Sequence, residues 1–210
     1  MDAEDDDAAP RAVPERGLPI GTPVLTPSGE VAVERLAPGD LVIAVSGQAA
    51  PFQRVVEIRR LSLPAALVRL RAGAIAEGTP REDLRLPPGH GLLLDGTLVE
   101  AGALLGGPGT LFEQAGGMQD VLGIVLGTHD AVLAAGMPVE TVPPAFTDQQ
   151  TPFAPRAGAD AALRALLAWR AEVMGWAEAL PAAPDIALPD PEEDLVSSAL
   201  GPALPVSPIR

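Results

Sequence analysis

Two histidines, His90 and His129, are the only side chains in this sequence with an ordinary pKa near neutrality. Either can move a proton in a reaction, provided something nearby attacks or is attacked. No cysteine is present, so there is no thiolate nucleophile, disulfide framework, thiolate zinc site or iron–sulfur cluster. Ser28, Ser46 and Ser62 lack the glycine-flanked setting of a nucleophile elbow, which argues against a Ser–His–Asp hydrolase. The two histidines with Asp95 or Asp130 would be the natural metal set, but the i, i+2 or i, i+4 clustering of a metal site is missing. Gly106-Gly107-Pro108-Gly109 has no Lys, Ser or Thr at phosphate-loop spacing and reads as a plain loop. The expectation is therefore no metal and no cofactor.

Composition narrows the field further. The chain has 210 residues, 47% of them hydrophobic and 20% charged, enough apolar material for one cored domain with appendages. Glycine (22) and proline (24) together favour many turns. Lys, Asn and Tyr are absent, all 14 basic residues are Arg, and the net charge is −14. Such a charge disfavours nucleic acid as a partner. The acidic start, Met1 to Asp7, is the opposite of a signal peptide, and no apolar run of transmembrane length occurs. A soluble, cytoplasmic protein away from the membrane is expected.

The elements that must position the histidines are short and β-like. Residues 1–16 read as an acidic disordered arm. Thr22–Thr26 and Val31–Val33 flank a Pro-Ser-Gly turn as a hairpin, and Leu41–Val45 follows as a strand. Phe52–Leu61 and Ala66–Arg71 read as two further strands, with Arg69 and Arg71 facing solvent. Leu92–Leu94 and Leu98-Val99 are joined by Asp95-Gly96, and Val121–Leu126 and Ala131–Ala134 come next. Turns every 8–12 residues indicate an all-β sandwich or barrel-like domain ending near Pro144. The spacing of Leu166, Trp169, Val173, Trp176 and Leu180 predicts one apolar stripe on an amphipathic helix over 157–180, stopped by Pro181. That stripe is read as the face docking on the β-domain, with a partner or self-association surface as the second reading. Residues 181–210 are a Pro-rich acidic tail, expected to be flexible.

Three segments in order carry a resemblance. Gly21-Thr22-Pro23-Val24-Leu25-Thr26-Pro27-Ser28-Gly29-Glu30 runs into Val33-Glu34-Arg35-Leu36-Ala37-Pro38-Gly39-Asp40. Leu84 to Gly96 holds His90, and His129 to Glu140 closes the set. Together, over 17–145, they resemble the Hint domain of hedgehog proteins and inteins, in its bacterial standalone form. The resemblance implies a Hint-like β-fold and a self-cleaving ancestry. In that family a Cys or Ser at the first position attacks the preceding carbonyl, a His polarises the scissile amide and protonates its nitrogen, and a closing His-Asn pair completes splicing.

At the corresponding positions this chain differs. Gly17 stands where the nucleophile would be, and Arg16, Leu18, Pro19 and Ile20 around it carry no hydroxyl. Pro87 precedes His90 by three residues, where the family has a Thr or Ser, and Glu140-Thr141 replace His-Asn. His90 alone persists, as a relic acid/base or as a turn cap, and His129 is read as a packing or hydrogen-bonding residue. The expectation is a domain that kept the fold and lost the reaction, serving as a binding or assembly module with a protein partner or a second copy. The candidate relic site is His90, Gly17, Pro87 and His129; the candidate binding residues are Leu166, Trp169, Val173 and Trp176. The competing reading is surviving self-cleavage, with water or the Thr22 hydroxyl as nucleophile. Gln150-Thr151 as a glutamine-type junction is a further, disfavoured variant.

Overall fold

Apolar and β-branched runs set the strands. A computed structural model describes residues 16–45, 51–145 and 153–176. β1 (Leu18–Pro19), β2 (Pro23–Thr26), β3 (Gly29–Ala32) and β4 (Leu41–Ile43) precede the long β5 (Phe52–Leu70). β6 (Leu84–Leu86), β7 (Gly91–Leu94) and β8 (Thr97–Glu100) lead to a second long strand, β9 (Thr110–Leu126). β10 (Ala131–Ala134), β11 (Met137–Glu140), β12 (Arg156–Ala157) and the helix α1 (Ala161–Val173) complete the order.

One sheet runs β1-β9-β5-β4, with β6 also on β5; the other runs β12-β8-β7-β11-β10-β2-β3. Single bridges from Ala44 to Val132 and from Val125 to Val142 stitch the two together. Leu70, Leu84, Leu86, Leu92, Leu104 and Leu126 are fully buried in the shared core. The fold is all-β with one helix near the C-terminus, as the turn spacing indicates. Residues 1–15 of the acidic arm, residues 46–50, Gln150-Thr151, Leu180 and the Pro-rich tail lie outside the described residues.

Two expected strands, Phe52–Leu61 and Ala66–Arg71, are one 19-residue strand. Pro64, which suggests a break, instead sits at a register shift: Pro64 pairs with Met118 and Ala66 with Gln114, leaving 115–117 opposite the single Ala65. A proline without an N–H is tolerated where the ladder is already interrupted. Arg69 and Arg71 are half-buried rather than solvent-facing: Arg69 pairs with Glu113 at 3.0 Å, and Arg71 lies against the Trp176 ring. Asp95-Gly96 makes its turn at φ 45° and 73°, as such dipeptides do. Ala135-Gly136 does the same at φ 48° and 79°, where an alanine gives no warning in the sequence.

The helix corrects the sequence reading. It starts at Ala161, where the Asp160 carboxylate accepts the Leu163 N–H at 2.8 Å, and Arg156 and Ala157 are strand instead. It stops at Gly175, at φ 69°, with Gly175 and Trp176 donating to the carbonyls of Glu172 and Ala171. Its docked face is Leu167, Arg170 and Ala171, not the Leu166-Trp169-Val173 stripe, which is exposed. The Arg170 guanidinium donates twice to the Gly73 carbonyl, at 3.0 and 2.9 Å. Leu163, Leu167 and Ala171 also recur every four residues, so periodicity could not choose between two stripes. The small face fits where Leu167 nearly touches Gly107. Trp176 leaves the stripe altogether and packs on Gly109. Among the described residues no helix is long and apolar enough to cross a membrane.

Leu167→Ala is expected to lower unfolding stability by about 2–5 kcal/mol, because it opens a cavity under the helix. Trp169→Ala, at 55% exposure, should stay within about 0.5 kcal/mol. Urea titrations of the two variants check this; equal losses would mean the helix docks by its tryptophan face.

Candidate functional site

The ends of four strands, β7, β10, β11 and β12, converge on Glu140. It terminates β11, whose Val139 pairs with Leu92 of β7 and whose Glu140 pairs with Ala131 of β10. Its carboxylate is fully buried. Arg16 Nε lies 3.2 Å from Oε2, His129 Nε2 lies 3.0 Å from Oε1, and an Arg156 guanidinium nitrogen also contacts Oε1. Burial alone would raise this carboxyl. The His129 hydrogen bond and the Arg16 and Arg156 charges overcome it and hold Glu140 below the usual carboxylate range. The approach is close: a Cβ on Gly91 would meet Oε2 at 2.5 Å. His129 also donates towards the Thr141 carbonyl at 3.1 Å, and Phe153 meets its ring edge-on at 4.8 Å between centroids.

His90 stands at the head of β7. The turn that presents it is closed by its own N–H, which donates to the Pro87 carbonyl at 3.0 Å. Pro87 thus shapes the turn but has no hydroxyl to offer, as the sequence indicates. The His90 ring is buried, and its Nδ1 accepts the Gly17 N–H at 3.1 Å. An accepting Nδ1 puts the proton of the neutral ring on Nε2. That nitrogen faces the Glu140 backbone without completing a well-aligned hydrogen bond. Burial, with the Arg16 charge, pushes His90 down to about 4, against the opposing Glu140 charge and the backbone contacts with Gly17 and Glu140.

Gly17 immediately precedes β1, whose Leu18 pairs with Leu122 of β9. A Cβ at Gly17 would lie 2.6 Å from Val121 Cγ2 and 3.0 Å from Val121 Cβ. Gly17, His90 and Glu140 line a cavity of about 10 Å³, room for one water. Among the described residues no three side chains gather as a metal site.

Gly17, His90, Pro87 and His129 are therefore in one neighbourhood, with Glu140 linking the two histidines. Leu166, Trp169, Val173 and Trp176 lie elsewhere, and Trp176 is separated from the other three. The sequence reading missed Arg16, Gly91 and Arg156 as site residues, and treated Glu140 only as a replaced position. A lone Glu within the apolar Met137–Val142 run was the available signal for Glu140. Arg16 and Arg156 carried none.

The site lies in an all-β domain in which a buried histidine accepts the Gly17 N–H. The sequence matches the Hint domain family over residues 17–145, more than half its length, and the chain belongs to that family. Among solved structures, an intein-like domain from Clostridium thermocellum aligns at 20% identity with a TM-score of 0.49, over 60% of this chain and 99% of its own. A DnaB intein from Synechocystis sp. PCC 6803 aligns at 12% identity with a TM-score of 0.45, over 60% and 98%. No curated protein matches the sequence.

The depressed His90 ring has a pH signature. Its folded pKa of about 4 lies below the ordinary 6.5, so the unfolded chain takes up a proton that the folded one refuses. Stability should be full above pH 6.5 and fall as pH drops through the window down to about 4. Glu140, held low, begins to lose its contribution only below its ordinary 4.5, so the upper part of that window is free of it. Urea midpoints of the native chain should fall between these values, and His90→Gln should flatten the slope. An unchanged slope would show that other groups set it.

Proposed function

We propose that this Hint domain keeps its Arg16–Gly17 peptide intact and acts as a non-catalytic binding or assembly module. The observation that carries the reading is the wall at Gly17. An acyl shift needs a thiol or hydroxyl beside the scissile carbonyl, and a side chain here would start 2.6 Å from Val121 Cγ2. Other hydroxyls are engaged. Thr22 donates to the Pro19 carbonyl at 2.7 Å, and Thr141 donates to the Asp130 carbonyl at 2.9 Å while accepting the Asp130 N–H. Glu140-Thr141 lack the amide side chain that asparagine cyclisation consumes. What remains for function is surface: Leu166, Trp169 and Val173 are exposed on the outer face of α1 and suit a protein partner or a second copy.

One observation favours a second reading, hydrolytic self-cleavage. His90 Nδ1 lies 3.1 Å from the Gly17 nitrogen, the atom that must gain a proton if the Arg16–Gly17 bond breaks, and the adjacent cavity admits a water. Water would add to the Arg16 carbonyl, the C–N bond would break, and Gly17 would leave as an amine. Against this, a ring with a pKa near 4 carries no Nδ1 proton to give at neutral pH.

Intact mass of the full chain, followed over days with and without hydroxylamine, decides between the two. A single unchanged mass is expected; loss of the first 16 residues would establish cleavage. A double-mutant cycle tests the wall itself. Gly17→Ala should cost about 1–3 kcal/mol from overpacking, and the chain carrying Val121→Ala as well should lose less than the sum of the two single losses. Strict additivity would remove the steric argument.

A further inference from the structure

The carboxylate of Glu140 is divided between two kinds of partner. Oε1 faces His129 and Arg156, both from the C-terminal half of the described chain. On Oε2, among the described residues, the cation is Arg16, the residue immediately before Gly17. Room for that contact exists because Gly91 has no side chain, since a Cβ there would fall 2.5 Å from Oε2. Arg16 is itself largely buried, with 12% of its side chain exposed, and Glu100 adds a second favourable charge while Arg156 opposes it.

We infer that Glu140, with Gly91 and the rim charge of Glu100, forms an arginine-recognition subsite that reads the side chain preceding Gly17. Arg16 fills it in this chain. The chemistry selects a guanidinium over an ammonium: the guanidinium is planar and weakly hydrated, so it enters a buried ion pair at lower desolvation cost. Charge points the same way. Withdrawing Arg16 leaves two carboxylates, Glu140 and Glu100, facing one guanidinium among the described residues, that of Arg156, a local excess of negative charge that a cation from outside would neutralise. The space vacated by the Arg16 side chain, part of which already touches solvent, is the way in. Together the subsite and the His90 contact hold the Arg16–Gly17 unit from two sides, one by the side chain and one by the amide N–H. The inference does not depend on whether that peptide is ever cleaved.

The test is chemical rescue in the full chain. Arg16→Ala should melt earlier than the native protein, and N-acetyl-L-argininamide should raise its Tm in proportion to ln(1 + [L]/Kd), by about 3 °C at ten times the dissociation constant. N-acetyl-L-lysinamide should not do so. Neither amide should shift the native chain, whose subsite is filled, nor the Arg16→Ala chain that also carries Glu140→Gln. No rise in Arg16→Ala, an equal rise with the lysine amide, or an equal rise in the native chain would each overturn the assignment. Should Arg16→Ala not fold, the native protein supplies the second readout. The Arg16 Nε–H should give a resolved, slowly exchanging NMR resonance that Glu140→Gln displaces. Exchange at the rate of free arginine would overturn the subsite as well.

Discussion

A fully buried carboxylate is the constraint on which this site depends. Taking an ionised Glu140 out of water costs several kcal/mol even after relaxation, and only well-placed cations and donors repay it. The chain meets that demand with groups from three distant places in sequence: Arg16 ahead of β1, His129 ahead of β10, and Arg156 in β12. Their convergence requires the two sheets to be in register. The β11–β7 and β11–β10 pairings place Glu140, β1 on β9 places Arg16, and β12 on β8 places Arg156. Breaking one pair would strand a charge, which ties local pairing at several strand ends to one common point.

The same region is packed to contact distance wherever a side chain is missing. Gly17 abuts Val121, Gly91 abuts the Glu140 carboxylate, and a Cβ on Gly123 would meet Val142 Cγ2 at 2.6 Å. These glycines are close-approach positions, and their spacing leaves a cavity for one water rather than for a substrate. His90 fits the same picture, because the burial that keeps it neutral makes it a good acceptor for the Gly17 N–H and a poor proton donor.

The β-architecture was legible because turns announce themselves. Asp95-Gly96 and the Pro27-Ser28-Gly29 run mark hairpins that the structure contains, and alternation marked most strands. What failed were readings that depend on context. The stretch between Leu61 and Ala66 reads as a gap between two strands and holds a register shift at Pro64; Ala135 gives no turn signal and adopts a left-handed turn. On the helix, two stripes share the same period, and only the shape of the surface below, at Gly107 and Gly73, chooses Leu167 and Arg170 over Trp169. In the site, the histidines and Gly17 could be picked out by position in recognisable blocks. Arg16 and Arg156 could not, since an arginine in a polar stretch looks the same whether it faces water or a buried carboxylate.

Arg156 also changes what counts as the domain. The family match ends at 145, yet 153–176 supplies a guanidinium on Glu140, an edge-on ring against His129, a strand on β8 and the buried Leu167. None of these contacts is peripheral. Without Arg156, Glu140 Oε1 would rely on His129 alone, and without Phe153 one face of that histidine would lose its apolar cover. The segment therefore completes the charge balance of the site, since burying Glu140 in this core is offset by Arg16, His129 and Arg156 together.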